Sequence, residues 1–213
     1  MNISKKYISI LEALLCSLAL MFFSYFVHSG TPWHLFAIAA LIVPAWLFSR
    51  NLQSLSDLRR IVYRADSKKI TVLYCFAGIL TGLLLSILYR RYLGLSRFPQ
   101  SFQLFVLVAA LIGSTEELVF RGFIQDQLRN LNPPLSILLS TLSHTAYKCC
   151  LFLSPVAAAG IDLRFLALWT FIAGILLGTI KHFSKSILPS TIAHALFDIL
   201  VYAEFVNSPW WVW

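Results

Sequence analysis

The chain has 213 residues, 59% of them hydrophobic and only 12% charged, with a formal net charge of +8 and a mean hydropathy of +0.78. Soluble domains run about 45–50% apolar and about 25% charged, so a water-soluble globular protein and a disordered chain are both excluded. Apolar runs that fill most of the length exclude a single-pass anchor as well, and the basic residues between those runs point to membrane orientation and anionic headgroups rather than to nucleic acid.

A spanning helix needs about 20 mainly apolar residues. Seven stretches meet that length, at 7–27, 33–49, 70–90, 103–120, 135–153, 165–181 and 187–206. The expected fold class is therefore all-α, a polytopic transmembrane helical bundle of about seven spans. The first stretch follows Lys5 and Lys6. Its apolar run is longer than a signal peptide's and no small-residue cleavage site follows it, so it is expected to remain as a span. The longest polar stretch, 50–69, is expected to form a short basic helix at the cytoplasmic interface.

With an inside N-terminus, the inside segments hold Lys5, Lys6, Arg50, Arg59, Arg60, Arg64, Lys68, Lys69, Arg121, Arg129, Lys181 and Lys185. The outside segments hold Arg90, Arg91, Arg97 and Arg164. This bias predicts an inside N-terminus and an outside C-terminus, with Trp210, Trp211 and Trp213 at the outer interface. Cys16, Cys75, Cys149 and Cys150 form no CxxC pair and lie in apolar runs, as small buried apolar residues do.

Charged side chains inside a bilayer are costly, and each is a candidate functional group. The first half of the chain holds one at span depth, Glu12, expected to reach an interface or a neighbour. The second half holds Glu116, Glu117 and Arg121 in one stretch, His144 in the next, and His194 with Asp198 in the last. Each residue turns an α-helix by about 100°, so Glu117 and Arg121 share a face and form a natural ion pair. Glu116 stands about 140° from Arg121, free to face another helix. His194 and Asp198 also share a face. His144 has Ser140 one turn before it and Lys148 one turn after it. His28 and His34 fall near the first outside loop and are expected to be solvated, and His182 sits at a helix end that suits a cation.

Several chemistries remain open to this set. A carboxylate beside an imidazole can take a proton from water and make a nucleophile, and a second imidazole can stabilise an oxyanion. Two histidines with carboxylates could also hold zinc, although no HExxH is present. The same groups could be interhelical hydrogen bonds in a catalytically silent membrane scaffold or immunity protein. They could also form the relay of a proton-coupled transporter, which the lack of broken, repeated spans disfavours.

Glu116-Glu117-Leu118-Val119-Phe120-Arg121 resembles the EExxxR motif of the CAAX-protease and bacteriocin-processing family of intramembrane endopeptidases. Ser140-Thr141-Leu142-Ser143-His144 resembles that family's FxxxH motif, with Ser in place of Phe. His194-Ala195-Leu196-Phe197-Asp198 resembles its HxxxN or HxxxD motif, with Asp where the eukaryotic CAAX enzymes have Asn. The resemblance covers roughly 103–206.

The resemblance implies that Glu116 activates the attacking water with His144 as its partner. It implies that His194 and Asp198 stabilise the oxyanion, that Glu117 and Arg121 support them, and that no metal or other cofactor takes part. It further implies an N-terminal set of transmembrane helices over 1–102 and a catalytic helical core over 103–213. The implied substrate is a membrane-anchored or lipidated protein or peptide, cut near the membrane surface as in C-terminal sorting or bacteriocin processing. The implied location is a bacterial cytoplasmic membrane.

Overall fold

The computed structural model describes residues 3–63, 68–154 and 162–206. They are mainly helical, with no strand among the described residues. In chain order the helices are α1 (Ile3–Phe26), α2 (Trp33–Ala40), α3 (Ile42–Asn51), α4 (Leu55–Val62), α5 (Lys68–Tyr92), α6 (Phe105–Glu117), α7 (Gln125–Gln127), α8 (Pro133–Leu153), α9 (Leu163–Ser184) and α10 (Leu188–Val201). A π-helical segment, Leu118–Ile124, joins α6 to α7, and a 3-10 turn, Leu128–Asn130, follows α7. The helix α4 falls inside the polar stretch 50–69. The tryptophans 210, 211 and 213 and Arg64 lie outside the described residues.

Among the described residues four helices, not seven, are long and apolar enough to cross a membrane: Lys6–Phe26, Trp33–Asn51, Lys68–Tyr92 and Leu163–Ser184. The other three expected spans differ for physical reasons. The stretch 103–120 becomes a 13-residue α-helix that passes into π geometry. The stretch 135–153 lies within α8, which is long enough at 21 residues, but Ser136, Ser140, Thr141, His144 and Lys148 dilute its apolarity. The stretch 187–206 is helical only over Leu188–Val201, 14 residues, or about 21 Å at 1.5 Å per residue, short of the roughly 30 Å hydrocarbon core. The second span is itself divided at Leu41. Pro44 lies just beyond that break, where its ring collides with the carbonyl four residues earlier.

The chain forms two compact units, one of residues 1–58 and 123–175, the other of 59–122 and 176–213. In the first, α1 packs against α8, α2 and α3. Ser17 Oγ donates to Ala13 O at 2.7 Å and stands 3.0 Å from Ser143 Oγ on α8. Glu12 reaches neighbours: Oε2 accepts from Gln127 Nε2 at 3.0 Å and Asn51 Nδ2 at 3.4 Å, and Oε1 pairs with Arg50 Nη1 at 3.3 Å. α8 begins at an Asn132 cap that accepts the Leu135 N–H at 2.8 Å, with prolines in its first turn, where the missing N–H costs nothing. His28 and His34 are half-buried rather than solvated. His34 Nδ1 donates to Val27 O at 2.5 Å, and burial beside His34 lowers the pKa of His28.

In the second unit α10 packs on α5 and α6. Gly78 and Gly82 on α5 make the close approach possible. A Cβ at Gly82 would lie 2.5 Å from Ala193 O, and one at Gly78 would overlap Pro189 O. Small residues four apart let two backbones meet in this way. The start of α10 is held by Ser186 Oγ, which donates to Val62 O at 2.5 Å, and by Ile187 N–H to Ile61 O at 3.3 Å. Its end is held by Arg90. That fully buried guanidinium donates to Leu200 O at 2.8 Å, to Ser96 O at 2.7 Å and to Glu204 Oε2 at 3.0 Å.

Candidate active site

Glu116 and Glu117 are the last two residues of α6, and Arg121 lies in the π-helical segment that follows. A π-turn closes on i+5 rather than i+4, and such turns inside α-helices are frequent at functional sites. Glu117 and Arg121 are essentially excluded from solvent, at 0% and 1% side-chain exposure, and pair at 3.3 Å through Oε1 and Nη1.

The same Glu117 Oε1 lies 3.0 Å from His194 Nδ1 on α10. A carboxylate can only accept, so Nδ1 carries the hydrogen and donates it. The imidazole is thereby oriented by a carboxylate that is itself fixed by a guanidinium. Its second nitrogen, Nε2, faces two more carboxylates, Glu116 Oε2 and Asp198 Oδ2, each at 3.8 Å. Those separations exceed a hydrogen bond and suit an oxygen placed between the groups. The His194 side chain is 11% exposed against 6% for Glu116, so the imidazole is the more accessible partner.

Gly113 makes this crowding possible. It lies one turn before Glu116 and Glu117 on α6, and a Cβ there would overlap Asp198 Oδ2 and stand 3.1 Å from His194 Cδ2. The bare backbone at 113 is the floor on which the Asp198 carboxylate rests. Tyr202, one turn after Asp198, lies within electrostatic reach of both Asp198 and Glu116.

The second unit thus brings together Glu116, Glu117, Arg121, His194 and Asp198. His144 belongs to the first unit. It is buried on α8 with its ring 6.5 Å from that of Tyr147, nearly parallel. Ser140, one turn before it, is buried as well. Thr141, one turn before His144, and Thr145, next to it in the chain, have buried hydroxyls with no protein hydrogen-bond partner. Among the described residues no three His, Cys, Asp or Glu groups are disposed to hold one metal ion.

Gly113, Tyr202 and the two threonines were not singled out by the sequence reading. Gly113 could have been, since it stands three and four residues before the paired glutamates. The π-turn had no comparable signal.

Residues 98–200 match the family model described as Rce1-like, type II CAAX prenyl endopeptidase Rce1-like. No curated protein and no solved structure matches the chain.

Proposed function

We propose, from the premise that the chain belongs through residues 98–200 to the Rce1-like type II CAAX prenyl endopeptidase family, that it is a membrane-embedded glutamate-dependent endopeptidase. Its substrate is a membrane-anchored or lipidated protein or peptide, hydrolysed near the membrane surface. The observation that carries this reading is the His194 imidazole, held at Nδ1 by Glu117 and presenting Nε2 to Glu116 and Asp198.

In the proposed reaction Glu116 takes a proton from water, and the water oxygen bonds to the scissile carbonyl carbon. The family motif assigns His144 a share in that proton transfer. The carbonyl oxygen becomes an oxyanion, which needs a donor already in place. His194 Nε2 can donate only as the imidazolium, because the hydrogen on Nδ1 is committed to Glu117; Glu117 and Asp198 balance that charge. When the C–N bond breaks, the proton held by Glu116 passes to the departing amine. Glu117 and Arg121 touch no substrate in this scheme and act by positioning His194. The reaction needs no resident metal.

We place the protein in a bacterial cytoplasmic membrane, and the charge pattern supports an inside N-terminus. Lys5 and Lys6 lie at the start of the first crossing, no Lys or Arg lies between Phe26 and Trp33, Arg50 lies at the end of the second, and Arg59 and Arg60 follow it.

The deciding experiment compares protein termini in membranes carrying the wild type with those carrying Glu116→Gln, at equal levels in the native host. Termini found only with the wild type would establish proteolysis and name the substrate. Identical termini from two well-folded proteins would leave a silent membrane scaffold.

A further inference from the structure

α5 has two unlike faces. One carries Thr71, Gly78, Gly82 and Leu85, is buried, and backs onto α10 through its glycines. The other exposes Lys68, Lys69, Val72, Leu73 and Phe76. Their spacing of i, i+1, i+4, i+5 and i+8 lays them along one strip of the helix. They line an open groove of about 480 Å³.

The order along the groove matters. α5 is one of the helices able to cross the membrane, and Lys68 and Lys69 form its first turn. The lysines therefore stand at headgroup level, with Val72 to Phe76 about 6–12 Å further along the axis, in acyl-chain territory. Two ammonium groups on the first turn also oppose the positive end of the helix dipole. An anion at that level offsets the repulsion. A phosphodiester above and a hydrocarbon chain below are the chemistry that satisfies both parts at once.

We propose that this groove binds an anionic phospholipid. The phosphate sits between the Lys68 and Lys69 ammonium groups, and one acyl chain lies along Val72, Leu73 and Phe76. The site is independent of the chemistry at Glu116 and is carried by the opposite face of the helix that seats α10.

The test uses the full chain in detergent with equimolar dioleoyl phosphatidylglycerol and dioleoyl phosphatidylcholine, read by native mass spectrometry. The wild type should retain phosphatidylglycerol about thirtyfold over phosphatidylcholine, the scale expected for two surface cations at about 1 kcal/mol each. Lys68→Gln/Lys69→Gln should abolish the preference. Lys181→Gln/Lys185→Gln, which removes the same charge elsewhere, should keep it. Phe76→Ser should weaken retention of both lipids. Equal loss in the two double variants, or no preference in the wild type, would overturn the site. So would displacement of the lipid by glycerophosphoglycerol at equal concentration, because the lysines would then bind a free phosphate ester without need of the groove. Unfolding temperatures should match throughout, because every altered groove side chain is exposed.

Discussion

Two buried carboxylates in this protein each face an arginine, and only one sits in a plausible reaction centre. Glu12 is surrounded by the Asn51 and Gln127 amides and by Arg50, whose side chain is 51% exposed. Glu117 is surrounded by Arg121, 1% exposed, and by His194. Amides and guanidinium groups donate hydrogen bonds but do not exchange protons near neutral pH, whereas an imidazole does. The Glu12 cluster is a saturated joint between α1, α3 and α7. The Glu117 cluster ends in a ring whose second nitrogen faces two further carboxylates. A buried charge in an apolar chain is a reason to look; the chemistry of its partner separates a joint from a site.

That contrast predicts unequal costs. Glu117→Ala leaves a fully buried guanidinium without its carboxylate, which costs about 3–5 kcal/mol. Glu12→Ala leaves two amides and a half-exposed guanidinium, and should cost about 1–2 kcal/mol. Thermal unfolding in one detergent measures both. Equal losses would erase the distinction between the two clusters. Glu116→Gln should sharpen it from the other side, lowering cleavage by about 10²–10⁴-fold with little change in unfolding temperature.

Gly113→Ala comes next in size. Its methyl group would displace the Asp198 carboxylate, and overpacking of that kind costs about 1–3 kcal/mol. Cleavage should fall by more than the stability loss explains, because His194 Cδ2 stands on the same floor. A variant that cuts normally would show that Asp198 and His194 can move without consequence. A change at the α1–α8 contact, Ser17→Ala, should lower stability slightly and leave cleavage intact.

Much of this was legible from spacing within one helix. Glu117 and Arg121 are four apart and do pair, at 3.3 Å, and His194 and Asp198 share a face of α10. An all-helical membrane protein follows from composition alone. The rest depends on contacts between helices. Nothing within α6 or α10 says that Glu117 meets His194, 77 residues away, or that Gly78 and Gly82 choose α10 as their partner. Four of the seven expected spans are helices long and apolar enough to cross among the described residues, and the other three differ for a related reason. An apolar run does not report whether it will stay one regular helix, and the 103–120 run passes into a π-turn at the glutamates.

The smallest expected effect concerns a third arginine. Arg90 is as buried as Arg121, yet its carboxylate partner, Glu204, lies beyond the end of α10 with its side chain 28% exposed. The Gln100 backbone N–H, 2.8 Å from Glu204 Oε1, and then the Arg90 guanidinium hold this carboxyl below the ordinary value of 4.5. A carboxyl whose pKa is lower in the folded state contributes stability that is complete above the unfolded value and lost as pH falls through the folded one. Acidification below pH 4.5 should therefore loosen the end of α10. Other carboxylates titrate there too, so the measurement is a difference: unfolding temperature against pH for the wild type and Glu204→Gln. The variant should start lower at neutral pH and show a shallower acid slope. Arg90 keeps Ser96 O and Leu200 O in either case, which is why the gap should be small. Parallel slopes would mean that Glu204 does not feel Arg90 in solution, and that the backbone carbonyls alone hold the guanidinium in place.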